Sequence, residues 1–379
     1  MLLLDTMMGK EVERAPSVPK IWIDLAANLL HRDYSDFFDN PGYAMQTIIE
    51  AAIDCECDGA RVFLFPNREV KKENGTCYHY RKGKNLGQID INGGWATVFD
   101  DAEEIDFSDP MTVVTYHFSK CRTKIIKNIS MIEKIEIPSL QTYHNLYGEQ
   151  VDNALEIAKD KICPIGDCNS GTLAFCVSLL GMEEALVCLY DEPEFLRALM
   201  GKGIELCITQ AKFMLDKGIR VLRYNDSAAN MSVISPETWR EFIKPYIREF
   251  CTEVHTYSPD AKIYCHICGD ILPIVNDLME TGLDCIAPLD PLGNFSVKDI
   301  RNITGKEFML MGGVNTLSFI NQPPQMVMAE AERCIEEGFT NGHFAVGSGC
   351  VVPRTASREA LLALAEASKK MKKEQTEGT

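Results

Sequence analysis

One histidine and two cysteines in this chain have the types and spacing needed to hold a metal ion. His266 and Cys268 are separated by a single residue, and Cys350 follows far along the chain. One imidazole and two thiolates suit zinc, which prefers tetrahedral nitrogen and sulfur ligands. Three protein ligands, rather than four, leave one position for water or substrate, which distinguishes catalytic from structural zinc. These three residues therefore predict a catalytic zinc site.

Two thiolates balance the charge of Zn²⁺, and this balance limits the chemistry of such a site. Coordination favours the thiolate form of a substrate thiol, whose sulfur stays electron-rich and nucleophilic. This chemistry suits alkyl transfer to sulfur. An ether oxygen can also bind and become a better leaving group, although two thiolate ligands weaken that polarisation. Zinc-assisted hydrolysis usually uses more electropositive ligand sets.

Eight β-rich runs alternate with amphipathic helices along the chain. Strands separated by helices predict parallel βαβ units, and eight such strands predict an α/β fold, the (β/α)8 TIM barrel. Asp191–Glu194 is typical of a helix start, Gly218 of a helix end, and Ser235 of an N-cap. The predicted strands are Lys20–Ala26, Ala60–Pro66, Lys161–Asn169, Arg220–Asp226, Lys262–Gly269, Cys285–Asp290, Phe308–Asn315 and His343–Cys350.

The three candidate ligands lie at one end of these strands. Residues two apart in a strand point to the same face, so His266 and Cys268 project together where the fifth strand ends. Cys350 lies at the same end of the eighth strand, and barrel active sites occupy that C-terminal face. A single His-x-Cys pair is a weak pattern in a chain with 15 cysteines, and this placement strengthens it. Cys285 begins the sixth strand, at the opposite end, and is expected in the core.

Polar residues at two further strand ends are candidate catalytic and substrate-binding groups. Asp226 ends the fourth strand and Asp290 ends the sixth. Either carboxylate can bind substrate, accept a proton or orient His266. The alternative is that each carboxylate caps the loop or helix that follows it. Tyr224 and Asn225, which precede Asp226, are predicted to bind substrate.

The ends of the last two strands are candidates for cofactor binding. Gly312 and Asn315 belong to the end of the seventh strand, and Gly349 to the end of the eighth. Barrels often bind phosphate groups between these two strands. The alternative is a tight turn that requires glycine for its backbone geometry.

We expect residues 1–379 to form a single barrel domain with one insertion. The segment 70–150 interrupts the alternation between the second and third strands. Its last part, residues 109–150, is expected to be helical and partly irregular. Its first part predicts a small antiparallel β-hairpin built from Tyr78–Lys84, Gln88–Asn92 and Trp95–Phe99.

The composition excludes several classes of partner. The formal net charge is −17 and the pI about 4.9, which argues against nucleic acid and anionic membranes. No apolar run reaches the roughly 18 residues of a membrane span, and the N-terminus does not match a secretory signal. The cysteines lack disulfide-framework spacing, which predicts a reduced, cytoplasmic location. Several are expected to be small buried hydrophobic residues: Cys176, Cys188, Cys207 and Cys251.

With these residues identified, the chain resembles the uroporphyrinogen decarboxylase superfamily, and within it the zinc-dependent corrinoid methyltransferase branch. The resemblance runs from about Ile162 to the C-terminus. It implies that His266, Cys268 and Cys350 bind Zn²⁺, and that a corrinoid-binding partner protein, carrying methylcobalamin, exchanges the methyl group. The branch includes relatives in methanol, methylamine and aryl methyl ether metabolism. The matching segments are Gly181 with Asp191–Pro193, Tyr224–Ser227, His266–Gly269 and Ser348–Pro353.

The decarboxylase itself is a poorer match. That enzyme is known for an arginine-rich segment at its first strand that binds porphyrinogen carboxylates, whereas Ile23–Asn28 contains no arginine. A substrate with many carboxylates needs cationic partners. The N-terminal third departs most from the family pattern, so the substrate stays open.

The residues and the resemblance together predict a zinc-dependent methyltransferase. It would move a methyl group between a corrinoid protein and a small substrate, either a thiol acceptor or an O- or N-methyl donor such as an aryl methyl ether or a methylamine. Two alternatives differ in class. One is a lyase like uroporphyrinogen decarboxylase, and the other is a non-catalytic barrel with a structural zinc ion. The oligomeric state stays open.

Overall fold

The helices and strands alternate along most of the chain, as the sequence predicts. The structure is a computed structural model that describes residues 1–33, 36–65, 69–81, 83–90, 96–99, 119–121, 124–340 and 342–377. The strands are β1 (Gly59–Val62), β2 (Glu69–Glu73), β3 (Thr76–Arg81), β4 (Lys84–Asp90), β5 (Ala96–Phe99), β6 (Ser119–Cys121), β7 (Cys163–Asp167), β8 (Val221–Asn225), β9 (Lys262–His266), β10 (Cys285–Leu289), β11 (Met309–Val314) and β12 (Phe344–Ser348).

The helices connect these strands and cover the outside of the barrel. They are α1 (Leu2–Met7), α2 (Ile23–Leu29), α3 (Asp36–Asp39), α4 (Pro41–Asp54), α5 (Ile129–Glu133), α6 (Leu140–Ala158), α7 (Leu173–Leu180), α8 (Met182–Asp191), α9 (Pro193–Asp216), α10 (Pro236–Phe242), α11 (Lys244–Tyr257), α12 (Val275–Met279), α13 (Val297–Thr304), α14 (Ser318–Asn321), α15 (Pro324–Gly338) and α16 (Arg358–Glu377).

Seven parallel strands form the curved sheet of a (β/α)8-type barrel. Their order is β1-β7-β8-β9-β10-β11-β12, so each strand pairs with the next one along the barrel. The register places Asp167 beside Arg223, and Asn225 beside His266. The predicted fold class is therefore confirmed, with an insertion between β1 and β7.

The first predicted strand, Lys20–Ala26, is wrong. Helix α2 begins at Ile23, and the segment 16–20 closes the barrel instead. The Val18 N–H donates to the Val346 carbonyl at 2.8 Å, and the Asp58 N–H donates to the Ser17 carbonyl at 2.8 Å. A short, continuous apolar run does not distinguish a buried strand from a buried helix, because both lack polar positions.

The barrel interior has an apolar lower part and a polar upper part. Side chains alternate along each strand, so every second residue faces inward. The lower part is closed by Leu3 and Met7 of α1. The polar upper part lies near the C-terminal strand ends and contains Arg61, Asp167 and Arg223. The apolar lining comprises Val18, Cys163, Ile165, Val221, Tyr264, Cys285, Ala287, Met309, Met311 and Ala345.

Local signals place the helices where the sequence predicts them. Helix α9 begins with Pro193, and Gly218, with φ +85°, follows its end. The Thr238 N–H donates to the Ser235 hydroxyl at 3.1 Å, which confirms the predicted N-cap. The cysteines predicted to be core residues are buried, namely Cys176, Cys188, Cys207, Cys251 and Cys285.

The insertion is larger than the predicted hairpin. The turn between β3 and β4 and the pairing of β4 with β5 are confirmed. Strands β2 and β6 extend the sheet to five strands in the described part of the chain. Strand β2 is almost entirely exposed and polar, so it lacks the apolar alternation that identifies a strand. Residues 82, 91–95, 100–118 and 122–123 of the predicted insertion lie outside the described residues.

In the described ranges, no single helix has both the length and the apolar character to cross a membrane. Helices α7 and α8 meet that requirement only when taken together, and they are bent by 116° relative to each other.

Candidate metal centre

The three predicted zinc ligands come together at the C-terminal end of the barrel. One ligand atom from each of His266, Cys268 and Cys350 lies within 4.8 Å of the other two. The Cys350 Sγ lies 3.8 Å from the His266 Nε2. In the part of the chain that the structure describes, this group contains three ligands and no fourth His, Cys, Asp or Glu. A nitrogen and two sulfurs at this separation fit the donor set of zinc.

Strand β9 and its exit turn position two of the ligands. His266 is the last residue of β9 and is 3% exposed. Cys268 follows in the loop and is partly exposed. Gly269 has φ +85°, a left-handed conformation that glycine adopts without strain and that turns the chain after Cys268.

Short contacts with the barrel-closing segment position the third ligand. The Ser348 hydroxyl donates to the Cys350 carbonyl at 2.6 Å. The Lys20 backbone N–H donates to the same hydroxyl oxygen at 2.9 Å. Val351 forms a parallel bridge with Lys20, so the loop after β12 is attached to the segment 16–20. The residues on either side of Cys350 in this loop, Ser348 and Val351, are therefore both held against Lys20.

The protonation states in the cluster favour metal binding. Burial, followed by the nearby Lys20 and Arg223, holds the pKa of His266 well below its usual range, so the imidazole is neutral. The Cys268 thiol donates to Cys350, which lowers the pKa of Cys350 to about 6. The same interaction raises the pKa of Cys268. A neutral imidazole and one thiolate are already in the forms that a divalent cation requires.

Lys20 is part of the cluster, although the sequence does not predict it. Its Nζ lies 3.0 Å from Nε2 and 3.5 Å from Nδ1 of His266. Burial, together with Arg223 and Arg61, holds the pKa of Lys20 well below its usual range. The sequence predicts Lys20 as the first residue of the strand Lys20–Ala26, and it therefore does not place this side chain at the C-terminal mouth of the barrel.

Asp290 lies beside the two cysteines and joins two loops of the site. Its Oδ2 accepts the Gly269 N–H at 3.0 Å, and its Oδ1 accepts the Leu292 N–H at 3.0 Å. It caps the short helical turn that follows β10. Burial raises the pKa of this carboxyl group. The contacts show the predicted capping arrangement, and a direct catalytic role for Asp290 stays a prediction.

The side chains of Asp226 and Tyr224 contact the helices around the barrel. The Asp226 carboxylate accepts the Ala174 N–H at 2.8 Å and also the Thr172 hydroxyl. The Tyr224 hydroxyl lies 2.7 Å from the same threonine hydroxyl, and its ring packs against Phe250. Burial raises the pKa of Asp226 to about 6. The Asp226 backbone N–H donates to the His266 carbonyl at 3.0 Å, whereas the Asp226 carboxylate and the Tyr224 hydroxyl bond to the start of α7. The catalytic role of Asp226 and the substrate-binding role of Tyr224 stay predictions.

Asn225 belongs to the polar upper part of the barrel. Its Oδ1 accepts a hydrogen bond from Arg223 Nη2 at 2.5 Å, and its Nδ2 donates to the Ser170 hydroxyl at 2.7 Å. Its register partner on the next strand is His266. This predicted substrate-binding residue therefore lies at the site, and its role stays a prediction.

The three predicted cofactor-binding residues have local structural roles. A side chain at Gly312 would meet the Leu289 backbone nitrogen at 2.5 Å, and one at Gly349 would meet Asp290 at 3.0 Å. The Asn315 side chain accepts the Leu317 N–H at 2.9 Å. These contacts favour the alternative of close packing and turns, and cofactor binding stays a prediction.

The barrel and its His-Cys-Cys cluster define the class of this protein as an α/β barrel with a candidate metal site at its C-terminal end. Residues 112–371 match the uroporphyrinogen decarboxylase (URO-D) family model. The chain therefore belongs to that family.

Its relatives include both methyltransferases and decarboxylases. A methylated-thiol–coenzyme M methyltransferase of Methanosarcina mazei is 25% identical over 50% of this chain and 49% of its own length. A methylcobamide:CoM methyltransferase of Methanosarcina barkeri is 21% identical over 56% of this chain and 61% of its own. A uroporphyrinogen decarboxylase of Corynebacterium glutamicum is 26% identical over 47% of this chain and 50% of its own. The chain thus matches between 49% and 61% of the length of these relatives.

One solved structure shares the whole architecture. A methyltransferase from Methanosarcina mazei superposes with a TM-score of 0.68, covers 97% of both chains and is 17% identical. At this identity the similarity establishes the fold.

Proposed function

We propose that this protein is a zinc-dependent methyltransferase that moves a methyl group between a corrinoid on a partner protein and a small substrate. The observation that carries the proposal is the cluster of His266, Cys268 and Cys350 at the open end of the barrel. The methyltransferase relatives support the same reaction class. A cytoplasmic location also stays part of the proposal.

The metal-binding part of the proposal assigns the ligands. His266, Cys268 and Cys350 would hold zinc, with His266 buried and the two cysteines partly exposed. A zinc ion bound there supplies the charge that favours the thiolate form of a substrate thiol or polarises an ether or amine donor. The partly exposed Cys268 and Cys350 mark the side from which a substrate would arrive.

In the direction of a thiol acceptor, the reaction is a displacement at the methyl carbon. A substrate thiol held at His266, Cys268 and Cys350 by zinc would release its proton to solvent, and its sulfur would form the new carbon–sulfur bond. The corrinoid of the partner would supply the methyl group and would keep the electron pair of the bond that is broken. Transfer from an O- or N-methyl donor runs in the opposite direction, towards the corrinoid.

Several residues of the chain position the reacting groups. Burial beside Lys20 and Arg223 keeps His266 neutral and therefore able to bind a metal. Ser348 fixes the backbone of Cys350, and Asp290 fixes the turn after Cys268. These contacts hold the ligands before substrate binds, which reduces the free energy spent on ordering them.

A methyl-transfer assay tests the proposal. The protein is incubated with methylcobalamin and a panel of thiols, and with cob(I)alamin and a panel of methylamines and aryl methyl ethers. We expect turnover in one direction and a loss of at least about 100-fold in Cys268→Ala, because the substrate then lacks its metal. Full activity of a metal-free protein would overturn the proposal.

A uroporphyrinogen decarboxylase-like lyase is the second candidate. The buried guanidinium groups of Arg61 and Arg223 favour it, since a substrate with many carboxylates needs cationic partners. Similarity to the Corynebacterium enzyme adds support. Turnover of uroporphyrinogen without zinc would establish this activity, and absence of that turnover would exclude it.

A further inference from the structure

Two cysteines of the chain differ from the others in their exposure. Cys268 and Cys350 are partly exposed, whereas the other cysteines whose side chains the structure describes are buried. Burial raises the pKa of thiols such as Cys176 and Cys207 well above the usual range, which keeps them protonated. Since the reactivity of a cysteine towards an oxidant follows its thiolate character and its exposure, the accessible thiols of the described residues are Cys268 and Cys350.

The two accessible thiols are also neighbours. Their Sγ atoms lie within 4.8 Å of each other. A disulfide bond is about 2.05 Å long, so the sulfurs have to approach each other by no more than about 3 Å. Both residues belong to loops, since Cys268 follows the last residue of β9 and Cys350 follows the last residue of β12. Rotation of the two side chains and a small shift of the loops are therefore enough to bring the sulfurs together.

One residue holds the two loops against each other. The Gly269 N–H, directly after Cys268, donates to Asp290 Oδ2 at 3.0 Å. Gly349, directly before Cys350, packs so closely on Asp290 that a side chain at this position would lie 3.0 Å from the Asp290 Cα. The backbone on both sides of the pair is thus fixed by Asp290. Two thiols held together in this way react with each other at a high effective concentration.

Thiols in the same region of the chain are placed where they cannot join the pair. Cys265 also belongs to β9, but it is 3% exposed and packs in the outer core. It is one residue from His266 in the strand, so the two side chains point to opposite faces. Cys285 begins β10, at the end of the barrel opposite to the candidate metal centre.

We infer that Cys268 and Cys350 form a reversible disulfide bond when no metal is bound to them, which makes them a site of oxidative modification. The oxidant is a peroxide. The first thiolate attacks a peroxide oxygen and becomes a sulfenic acid, and hydrogen peroxide leaves as one water molecule. The second thiolate attacks that sulfur, the sulfur–sulfur bond forms, and the hydroxyl group leaves as a second water molecule. The two cysteines together lose two electrons and two protons, which a dithiol reductant returns.

The disulfide and a bound metal exclude each other. Zinc requires both sulfurs as thiolates, and a disulfide has no thiolate to offer. Oxidation would therefore leave His266 as the remaining ligand, and reduction would restore the site. The inference goes beyond the proposed function and does not depend on it, since it concerns the two thiols alone.

Peptide mapping of the metal-free protein tests the inference. The full chain is stripped of metal with a chelator and treated with hydrogen peroxide. Thiols are then counted in denaturant, and a digest prepared without reductant is analysed by mass spectrometry. We expect a pair of thiols to disappear, a peptide pair linking Cys268 to Cys350 to appear, and dithiothreitol to reverse both changes. Sulfinic or sulfonic acid at these cysteines without a link, or a link between other cysteines, would overturn the inference.

Serine variants identify the reacting residues. In Cys268→Ser and in Cys350→Ser the link should be absent, and the remaining cysteine should stop at the sulfenic acid, which dimedone traps. Cys265→Ser is the matched control, because it removes a buried thiol from the same strand, and it should form the link at the rate of the wild type. Disappearance of a thiol pair in either of the first two variants would contradict the assignment.

A zinc arm tests the mutual exclusion. Zinc added before the peroxide should slow formation of the link at least about tenfold, because a ligand has to leave the metal first. His266→Gln keeps both sulfurs and removes the nitrogen ligand, so its metal-free form should still make the link while zinc protects it less. Equal rates with and without zinc in the wild type would refute the exclusion. Formation of the link in a protein that shows no methyl transfer would support this inference and count against the proposed function alone.

Discussion

The Nζ of Lys20 lies 3.0 Å from the Nε2 of His266, at the point where the barrel-closing segment meets the end of β9. The two residues are far apart in the sequence and belong to opposite sides of the barrel mouth. Ser348 fixes the backbone of Lys20, so the contact is a built part of the site. The amine occupies one approach to the imidazole nitrogen that would bind a metal.

Replacing Lys20 should therefore strengthen zinc binding. In Lys20→Met the imidazole of His266 has no amine beside it, so zinc no longer has to displace that hydrogen-bonding neighbour. We expect zinc affinity to rise about tenfold, which corresponds to about 1.4 kcal/mol. Competition with a chromogenic chelator measures the affinity. Lys10→Met is the control, since Lys10 is 64% exposed; a weaker affinity in Lys20→Met would contradict the prediction.

Zinc content should depend on the two cysteines of the cluster and on no neighbouring thiol. We expect about one zinc per chain in the wild type and a large loss in Cys268→Ala and Cys350→Ala, since each removes a ligand. Cys265→Ala is the matched control, because Cys265 belongs to the same strand but packs in the outer core. Elemental analysis after dialysis measures the content. Equal zinc in all four proteins would refute the site.

The three candidate metal ligands could be predicted from the sequence because all of them lie at the C-terminal ends of predicted barrel strands. The spacing of His266 and Cys268 matches the two-residue period of a strand, and barrel topology brings Cys350 to the same rim. The same period shows why Tyr224 and Asn225 could not both face the substrate, because neighbouring strand residues point to opposite sides. In the structure Asn225 faces the site and Tyr224 packs on Phe250.

The cationic layer could not be read from the sequence. Arg61, Asp167 and Arg223 lie on three different strands, and the register of those strands brings them together. The placement of Lys20 also depends on whether the apolar run after it forms a strand or a helix. That run fits either structure equally well. The lack of arginine in Ile23–Asn28 makes the decarboxylase a poorer match, whereas the buried arginines of the structure lie on β1 and β8.

Asp290 should support the metal site through the backbone. Asp290→Ala removes the acceptor of the Gly269 and Leu292 N–H groups, both next to the site. Leaving two such donors unpaired should lower the free energy of unfolding by about 1–3 kcal/mol, and loosening the turn after Cys268 should lower zinc affinity about 10- to 100-fold. Urea unfolding and chelator competition measure the two effects.

Asp270→Ala is the matched control for this variant. Asp270 lies in the same loop, and its carboxylate accepts the Leu272 N–H at 3.0 Å at an exposed position. We expect a small loss of stability and an unchanged zinc affinity. If Asp290→Ala and Asp270→Ala behaved alike, the support for the metal site could not be assigned to Asp290.

The lower end of the barrel provides a prediction for stability that is independent of the metal. Asp284 precedes β10, and its carboxylate contacts His255 Nε2 at 3.0 Å, Lys262 Nζ at 2.8 Å and the Ile263 N–H at 2.8 Å. Burial works to raise the pKa of Asp284, but these three partners outweigh it and lower the pKa. The ionised carboxylate therefore stabilises the folded state.

The sign of this shift fixes the pH dependence. A folded-state pKa below the unfolded value of about 3.9 gives a stabilisation that is complete above that value and is lost as the pH falls through the folded-state pKa. Asp284→Asn should thus be less stable than wild type by about 1–3 kcal/mol at pH 7, and the difference should shrink below about pH 4. Urea unfolding across this range measures it. Asp260→Asn, at a carboxylate 54% exposed, should cost less than about 1 kcal/mol at any pH. If the difference in the free energy of unfolding between wild type and Asp284→Asn grew as the pH fell, the ionised carboxylate would not be stabilised by these partners.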